Sequence, residues 1–194
     1  MTKYVLPFLF LIVILSISGC SQQSAYVNPD EPDELGGAGI DSQEIRTVSE
    51  NMARDLVGSP ALAGATGKPI VALLPVKNDT HFPVNLDIIN LRIRNALIKF
   101  SDKATFVQRE RREDVLAEKA AKRAGQMTSS GEKTISGADY FLTGSVEELS
   151  KSAGGKESNY TYFSFELIDT ETEQVVWAND YEVKKVAKRG VLYR

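Results

Sequence analysis

The sequence has very few of the side chains that carry out chemistry. Its 194 residues include one cysteine, Cys20, and one histidine, His81. A single cysteine cannot close an intramolecular disulfide or build a zinc site from several thiolates. The histidine follows Thr80 in a loop without an HExxH or other metal-ligand pattern, so we interpret it as a solvated side chain. We therefore expect no metal ion and no cofactor.

Motifs of nucleophilic and phosphate chemistry are also missing. The chain contains no GxSxG, Walker or GxGxxG pattern. Ser130 and Lys133 have the SxxK spacing of penicillin-binding enzymes, but that mechanism needs further elements, and neither SDN nor KTG occurs. Because serine and lysine are common in this chain, a chance match is expected. We therefore predict that the protein is not an enzyme and has no catalytic residue.

No apolar run is long enough to cross a membrane as a helix. The longest one, Val5–Leu15, is shorter than the roughly 20 residues that a spanning helix needs. It has the length of a signal-peptide core and is followed by Ile17-Ser18-Gly19-Cys20. This ending resembles the lipobox that lipoprotein signal peptidase cuts, which implies that residues 1–19 are a signal peptide and are removed.

The resemblance to a lipobox also implies what happens to the new N-terminus. Cys20 would carry acyl chains, and these would anchor the protein stably without a further membrane element. The next residue is Ser21 and not aspartate, so in a host with two membranes the sorting rule for such lipoproteins implies the outer one. We expect an outer-membrane protein that is lipid-anchored and faces the periplasm.

Neither sign of charge is in large excess. Removal of residues 1–19 deletes Lys3 and no acid, which leaves 22 basic and 26 acidic side chains. A mildly acidic chain is not expected to bind nucleic acid or anionic lipid headgroups in general. We therefore expect no nucleic-acid partner, and contact with the membrane through the lipid alone.

Residues 20–40 lack the apolar side chains that would offset the cost of ordering them. After Cys20 they are polar and acidic and are interrupted by Pro29 and Pro32. This composition predicts a disordered tether that spans about 25 Å as a coil. Residues 41–194 are predicted to form one globular domain.

The first part of the domain has helical periodicity around two short apolar strands. Asp41 and Glu44 have the spacing of a capping box, which predicts the start of a helix. The run Ile70–Val76 predicts a strand that is covered on both faces. The other features predicted here are the apolar helical stripe Ile45, Val48, Met52 and Leu56, a helix at 86–100, a strand at 104–108, a charged helix at 111–125 and a loop at 126–137.

The last third alternates polar and apolar residues with a period of two, which predicts antiparallel strands joined by hairpins. Strands are predicted at Tyr140–Val146, around Phe163 and Phe165, and at Val175–Val183, with connections at 151–158 and 169–173. Trp177 is assigned to the core or its edge. The prediction is an α/β fold in a single domain. Its mixed sheet has four to five strands, one βαβ crossover followed by an antiparallel meander, packed with three to four helices.

Two groups of side chains are candidates for binding a protein partner. If Phe163 and Phe165 face the core, Tyr160 and Tyr162 lie on the opposite face of their strand, and tyrosine is enriched at interface centres. A helix that covers that face as well is an equally open alternative. The second group is a mixed charge block that contains Arg109, Arg111 and Arg112. Such a block is more often a solvated face than a docking patch.

The order of these segments resembles the LpoB family, the outer-membrane lipoproteins that activate class A penicillin-binding proteins during cell-wall synthesis. The resemblance covers about residues 69–183 and includes Ile70–Val76, the helix at 86–100, Ala138–Gly144 and the turn that ends in Gln174-Val175-Val176-Trp177. It implies a regulator that binds a bifunctional peptidoglycan synthase of this class and raises its activity. Cys20 is the family functional residue that carries over.

A second interpretation stays open. Related periplasmic domains of curli-secretion and flagellar lipoproteins share the layout of strand, helix, strand and final hairpin, so the chain could be an assembly component of such an outer-membrane machine. That interpretation predicts ring-like oligomers, whereas we expect the synthase regulator to be a monomer.

Overall fold

The structure is a computed structural model that describes residues 26–32, 36–100, 102–107, 109, 111–125 and 137–188. The predicted signal peptide, Cys20 and the Ser130–Lys133 segment lie outside the described residues.

The first helix, α1, spans Ser42–Gly58 and begins at the predicted capping box. The Glu44 amide donates to Asp41 Oδ1 at 3.1 Å, and the Asp41 amide donates to Glu44 Oε2 at 3.1 Å. These bonds satisfy donors that the first helical turn leaves free. Val48, Met52 and Leu56 of the predicted stripe are fully buried and Ile45 is partly buried, so α1 faces the core as expected.

A short second helix, α2 at Pro60–Ala63, follows α1 in a segment where no helix is predicted from the sequence. Proline at the first helical position has its φ preset and has no amide to satisfy, which favours a helical turn directly after Ser59. Leu62 of α2 is buried and extends the core under α1.

The predicted βαβ unit is present. Strand β1 spans Ile70–Asp79, helix α3 spans Asp87–Phe100 and strand β2 spans Thr105–Val107. β1 and β2 pair in parallel, with Val71 opposite Phe106. Three consecutive residues at the start of β1 are buried, as expected of a strand covered on both faces.

Helix α4, Arg112–Arg123, follows β2 and has no buried residue. Val115 and Leu116, the large apolar residues of this helix, are 45% and 46% exposed. The apolar side of α4 is therefore not part of the core.

Three long strands complete the domain: β3 at Tyr140–Ala153, β4 at Lys156–Asp169 and β5 at Val175–Lys188. They form an antiparallel meander that is longer at one end than the sequence predicts. Gly154 and Gly155 have φ of 57° and 71° and form a two-residue turn. Such a turn matches the strand twist, so pairing continues up to Ala153 and Lys156.

The sheet has the strand order β2-β1-β3-β4-β5, parallel on one side and antiparallel on the other. Helices α1 and α3 pack together, α1 also contacts β5, and α3 contacts β1. The predicted fold class, an α/β domain with one mixed sheet, is confirmed.

Trp177 is 8% exposed at the edge of the core, and its Nε1 donates to Asp55 Oδ2 at 2.7 Å. In the part of the chain described here, no helix is both long and apolar enough to cross a bilayer.

Candidate partner-binding surface

The meander β3–β5 has one face in the core and one face that we call the open face. On β4, Phe163, Phe165 and Leu167 are fully buried against the helices. Tyr160 and Tyr162 alternate with these residues, so they lie on the open face, where both are partly exposed. The side on which the sequence places these tyrosines is therefore confirmed.

Tyr160 is held in place on the open face by an acid of the neighbouring strand. Its hydroxyl donates to Glu182 Oε2 at 2.5 Å. This hydrogen bond to the carboxylate of Glu182 is the main cause that raises the pKa of Tyr160 from 10.0 to about 12. Across the sheet, Tyr160 lies opposite Leu149 on β3 and Lys184 on β5.

Beyond Tyr160 the open face ends in a cluster of four lysines, which we call the basic tip. Residues directly opposite in an antiparallel pair share a face. Lys184 lies opposite Tyr160 and Lys151 opposite Ser158, while Lys156 and Lys188 lie opposite each other. The members of the basic tip are Lys151, Lys156, Lys184 and Lys188, and all four are exposed.

On the core side of the same end of the sheet, a fifth lysine binds the start of the domain. Lys185 Nζ lies 2.8 Å from Asp41 Oδ2, 2.7 Å from Glu44 Oε1 and 2.7 Å from the carbonyl oxygen of Gly39. Asn159, which is buried, donates to the carbonyl oxygen of Ala38 at 3.1 Å. We call these contacts the N-terminal clamp.

The charges of the N-terminal clamp depend on burial and on hydrogen bonding. Burial opposes the charge of Lys185, but the hydrogen bonds to both acids outweigh it and raise its pKa. Burial also opposes ionisation of Asp41, but the hydrogen bond and charge of Lys185, together with hydrogen bonds from the backbone amides of Glu44 and Gln43, outweigh it, so the pKa of Asp41 is lowered. Glu44 is more deeply buried, and burial raises its pKa in spite of the same lysine.

The predicted arginines lie elsewhere. Arg111 is the N-cap residue of α4, and the Arg112 amide donates to the carbonyl oxygen of Arg109 at 3.2 Å. This turn follows β2, the edge strand on the opposite side of the sheet from β5. Three strand spacings, about 14 Å, separate β2 from β4. The structure therefore does not bring these arginines and the two tyrosines into one cluster, and a partner role for the arginines stays a prediction.

The loop histidine has a partner that the sequence does not indicate. His81 is about half exposed, but its Nδ1 lies 2.7 Å from Glu148 Oε2, and its amide donates to the same oxygen at 3.2 Å. Glu148 is almost fully buried on the core side of β3, and its Oε1 has no hydrogen-bond partner. Within the described ranges, no group of three or more His, Cys, Asp or Glu side chains could hold a metal ion.

One family model matches most of the chain. Residues 44–183 match the family described as the peptidoglycan-synthase activator LpoB. No curated protein matches the chain. The LpoB C-terminal domain from Salmonella enterica is 14% identical, with 73% of this chain and 99% of that chain covered and a TM-score of 0.45. The corresponding Escherichia coli domain is 17% identical, with the same coverage and a TM-score of 0.44. Lipoprotein GNA1162 from Neisseria meningitidis is 10% identical over 61% of this chain and 84% of that chain, with a TM-score of 0.40.

Proposed function

The chain belongs to the LpoB family of peptidoglycan-synthase activators, and from this membership we propose that it binds and activates a class A penicillin-binding protein. The observation that carries the proposal is the extent of the match. Residues 44–183 run from the first turn of α1 into the second half of β5. The family match therefore includes β1 to β4, the larger part of β5 and the positions of both tyrosines.

The open face around Tyr160 and Tyr162 is the proposed contact surface. Helices α1, α2 and α3 supply core residues and pack on the other face of the sheet. Aromatic side chains that are partly exposed on a rigid sheet lose little conformational freedom on binding, which supports their use as anchors. Leu149 and Val186 beside them are 57% and 64% exposed, so the surface also offers apolar area.

The proposal also covers how the protein is anchored to a membrane and in which compartment it acts. Cys20 carries the lipid after removal of residues 1–19, and the tether connects it to the domain on the periplasmic face of the outer membrane. The lipobox-like segment before Cys20 and the Ser21 that follows it support this placement. Mass spectrometry of the protein purified from membranes tests it. An acylated N-terminal Cys20 is expected, and an intact leader or an unmodified thiol would contradict the placement.

In this function the chain acts by contact and as a monomer, and the synthase supplies the catalytic groups. The test is a binding measurement by surface plasmon resonance between the lipid-free chain from Ser21 onward and the class A synthase of the same host. Replacing both Tyr160 and Tyr162 by alanine should weaken binding at least about tenfold, because interface tyrosines are frequent hot spots. The matched control is Tyr26→Ala, which removes an exposed tyrosine of the predicted tether. Binding of the double variant at wild-type strength would rule out the open face.

A further inference from the structure

Five lysines lie together at one end of the sheet, in a chain whose net charge is −3. Of the five lysines at that end of the sheet, Lys185 is neutralised by Asp41 and Glu44 on the core side. The side chains of the four basic-tip lysines make no hydrogen bond or ion pair with any residue that the structure describes. The free positive charge is thus confined to the open face, next to Tyr160.

The arrangement of these lysines is unfavourable for the domain alone. Lys156 and Lys188 lie directly opposite each other in the β4–β5 ladder. Like charges at directly opposite positions destabilise a strand pair. The fold does not require two lysines at these positions. An acidic partner would relieve their repulsion on binding, so the pair is better explained by binding than by folding.

Apolar and aromatic side chains lie among the four charges. Leu149 is opposite Tyr160, and Val186 is opposite Ser158, between the positions of Lys184 and Lys188 on the same face. Leu149 and Val186 are more than half exposed. An apolar centre with a charged rim is the usual composition of a protein–protein contact.

We propose that the basic tip, with Leu149, Tyr160 and Val186, is the docking surface for an acidic patch on a protein partner. This inference rests on the proposed function and names the chemistry of its partner surface: carboxylates arranged around a small apolar area. Charge complementarity of this kind mainly accelerates association and selects the correct partner.

Other occupants fit the surface less well. Glu147, Glu166 and Asp180 project from the same face a few positions from the tip, so an anionic membrane lying on the face would meet these acids as well. A second copy that docks its own tip in a symmetric contact would bring lysines onto lysines. Asp30 of the tether forms an ion pair with Arg46 on α1, so this acid is already paired away from the tip.

The test compares two variants of the lipid-free chain from Ser21 onward, each with four lysines replaced by glutamine. One variant changes Lys151, Lys156, Lys184 and Lys188. The matched control changes Lys68, Lys103, Lys119 and Lys122, which lie outside the meander. Affinity for the class A synthase of the host is measured at low and high salt. The tip variant should bind at least about tenfold more weakly at low salt and lose most of its salt dependence, while the control stays within about twofold.

Equal binding by the tip variant and the wild type would overturn the inference and leave the proposed function intact. If the wild type itself does not bind the synthase, the proposed function fails. In that case a photo-crosslinker at Ser158 of the full-length chain in cells tests whether the basic tip docks on another protein. A product on an acidic surface peptide of another protein, lost in the tip variant and kept in the control, would support it. If no crosslinked product depends on the tip lysines, the inference is overturned.

A vesicle experiment separates a protein surface from a lipid surface. The chain is sedimented with vesicles of phosphatidylethanolamine and phosphatidylglycerol. The inference predicts no tip-dependent sedimentation. Sedimentation that the tip variant loses and the control keeps would overturn the inference in favour of a membrane contact. The thermal midpoint of the tip variant should be equal to or above that of the wild type, because the Lys156–Lys188 repulsion is removed.

Discussion

At the scale of single residues, the hydrogen bond between Tyr160 and Glu182 raises the pKa of Tyr160 on the open face. In Glu182→Gln, the pKa of Tyr160 should fall from about 12 towards the ordinary value of 10.0, because the carboxylate that favours the protonated phenol is gone. Because the pKa is raised on folding, the bond contributes stability below pH 10.0 that is lost as the pH rises towards 12. NMR titration of the Tyr160 ring measures this directly. Asp180→Asn is the comparison and should lower the pKa of Tyr160 much less, because Asp180 is the smallest of the causes that raise it. An unchanged Tyr160 titration in Glu182→Gln would show that Glu182 does not raise the pKa of Tyr160.

Lys185 and Lys184 are adjacent in sequence and differ in their contacts. Replacing Lys185 by methionine leaves the partly buried carboxylate of Asp41 and the buried carboxylate of Glu44 without their cation. It should lower the free energy of unfolding by about 2 kcal/mol. Lys184→Met is the matched control and should change stability by less than about 0.5 kcal/mol, because Lys184 is exposed. Urea unfolding at neutral pH compares the two. Equal effects would show that the N-terminal clamp does not stabilise the domain.

Several of these residues could be placed from the sequence, and others could not. The capping box at Asp41 and the burial of Trp177 follow from local spacing and alternation. The core-facing position of Lys185 continues the alternation of Tyr181 and Val183, but the predicted strand ends at Val183, so its role was missed. The contact of Glu148 with His81 joins residues far apart in sequence, and no local pattern indicates it.

At the scale of elements, the close packing of β3 against β4 depends on a glycine. A Cβ on Gly144 would lie 2.6 Å from Phe165 Cδ1 and 2.7 Å from the carbonyl oxygen of Ser164. Gly144→Ala should therefore lower the free energy of unfolding by about 1–3 kcal/mol through overpacking. Gly58→Ala at the end of α1 is the control, since a Cβ there meets nothing within 4 Å. Thermal unfolding measures both, and an unaffected Gly144→Ala protein would contradict the packing described.

The strands and long helices could be predicted because each has a clear apolar period, as in α1 and β4. The short helix α2 was missed because four residues are too few to show a period. The extension of the meander to Lys188 depends on the two-glycine turn and on cross-strand pairing. Pairing register is a tertiary property, so the cluster of lysines at the tip could not be recognised before the strands were aligned.

At the scale of the whole molecule, the N-terminal clamp makes the chain enter the domain at the same end of the sheet as the basic tip. The contacts of Ala38, Gly39 and Asp41 with β4 and β5 indicate that the folded body begins before α1. A chain that starts at Ser42 should lose about 2 kcal/mol or more of unfolding free energy relative to one that starts at Pro29, because it lacks the N-cap and leaves Asn159 and Lys185 uncovered. Chemical denaturation of the two chains provides the comparison. Equal midpoints would show that the segment is not part of the folded body.

We propose that the domain activates a class A peptidoglycan synthase by contact alone. The rate of glycan polymerisation by the purified synthase of the same host, measured with and without the lipid-free chain from Ser21 onward, tests this proposal. We expect a higher rate with the wild type, a much smaller increase with the Tyr160 and Tyr162 double variant, and full stimulation with Tyr26→Ala. A synthase rate that the wild-type chain leaves unchanged would contradict the claim.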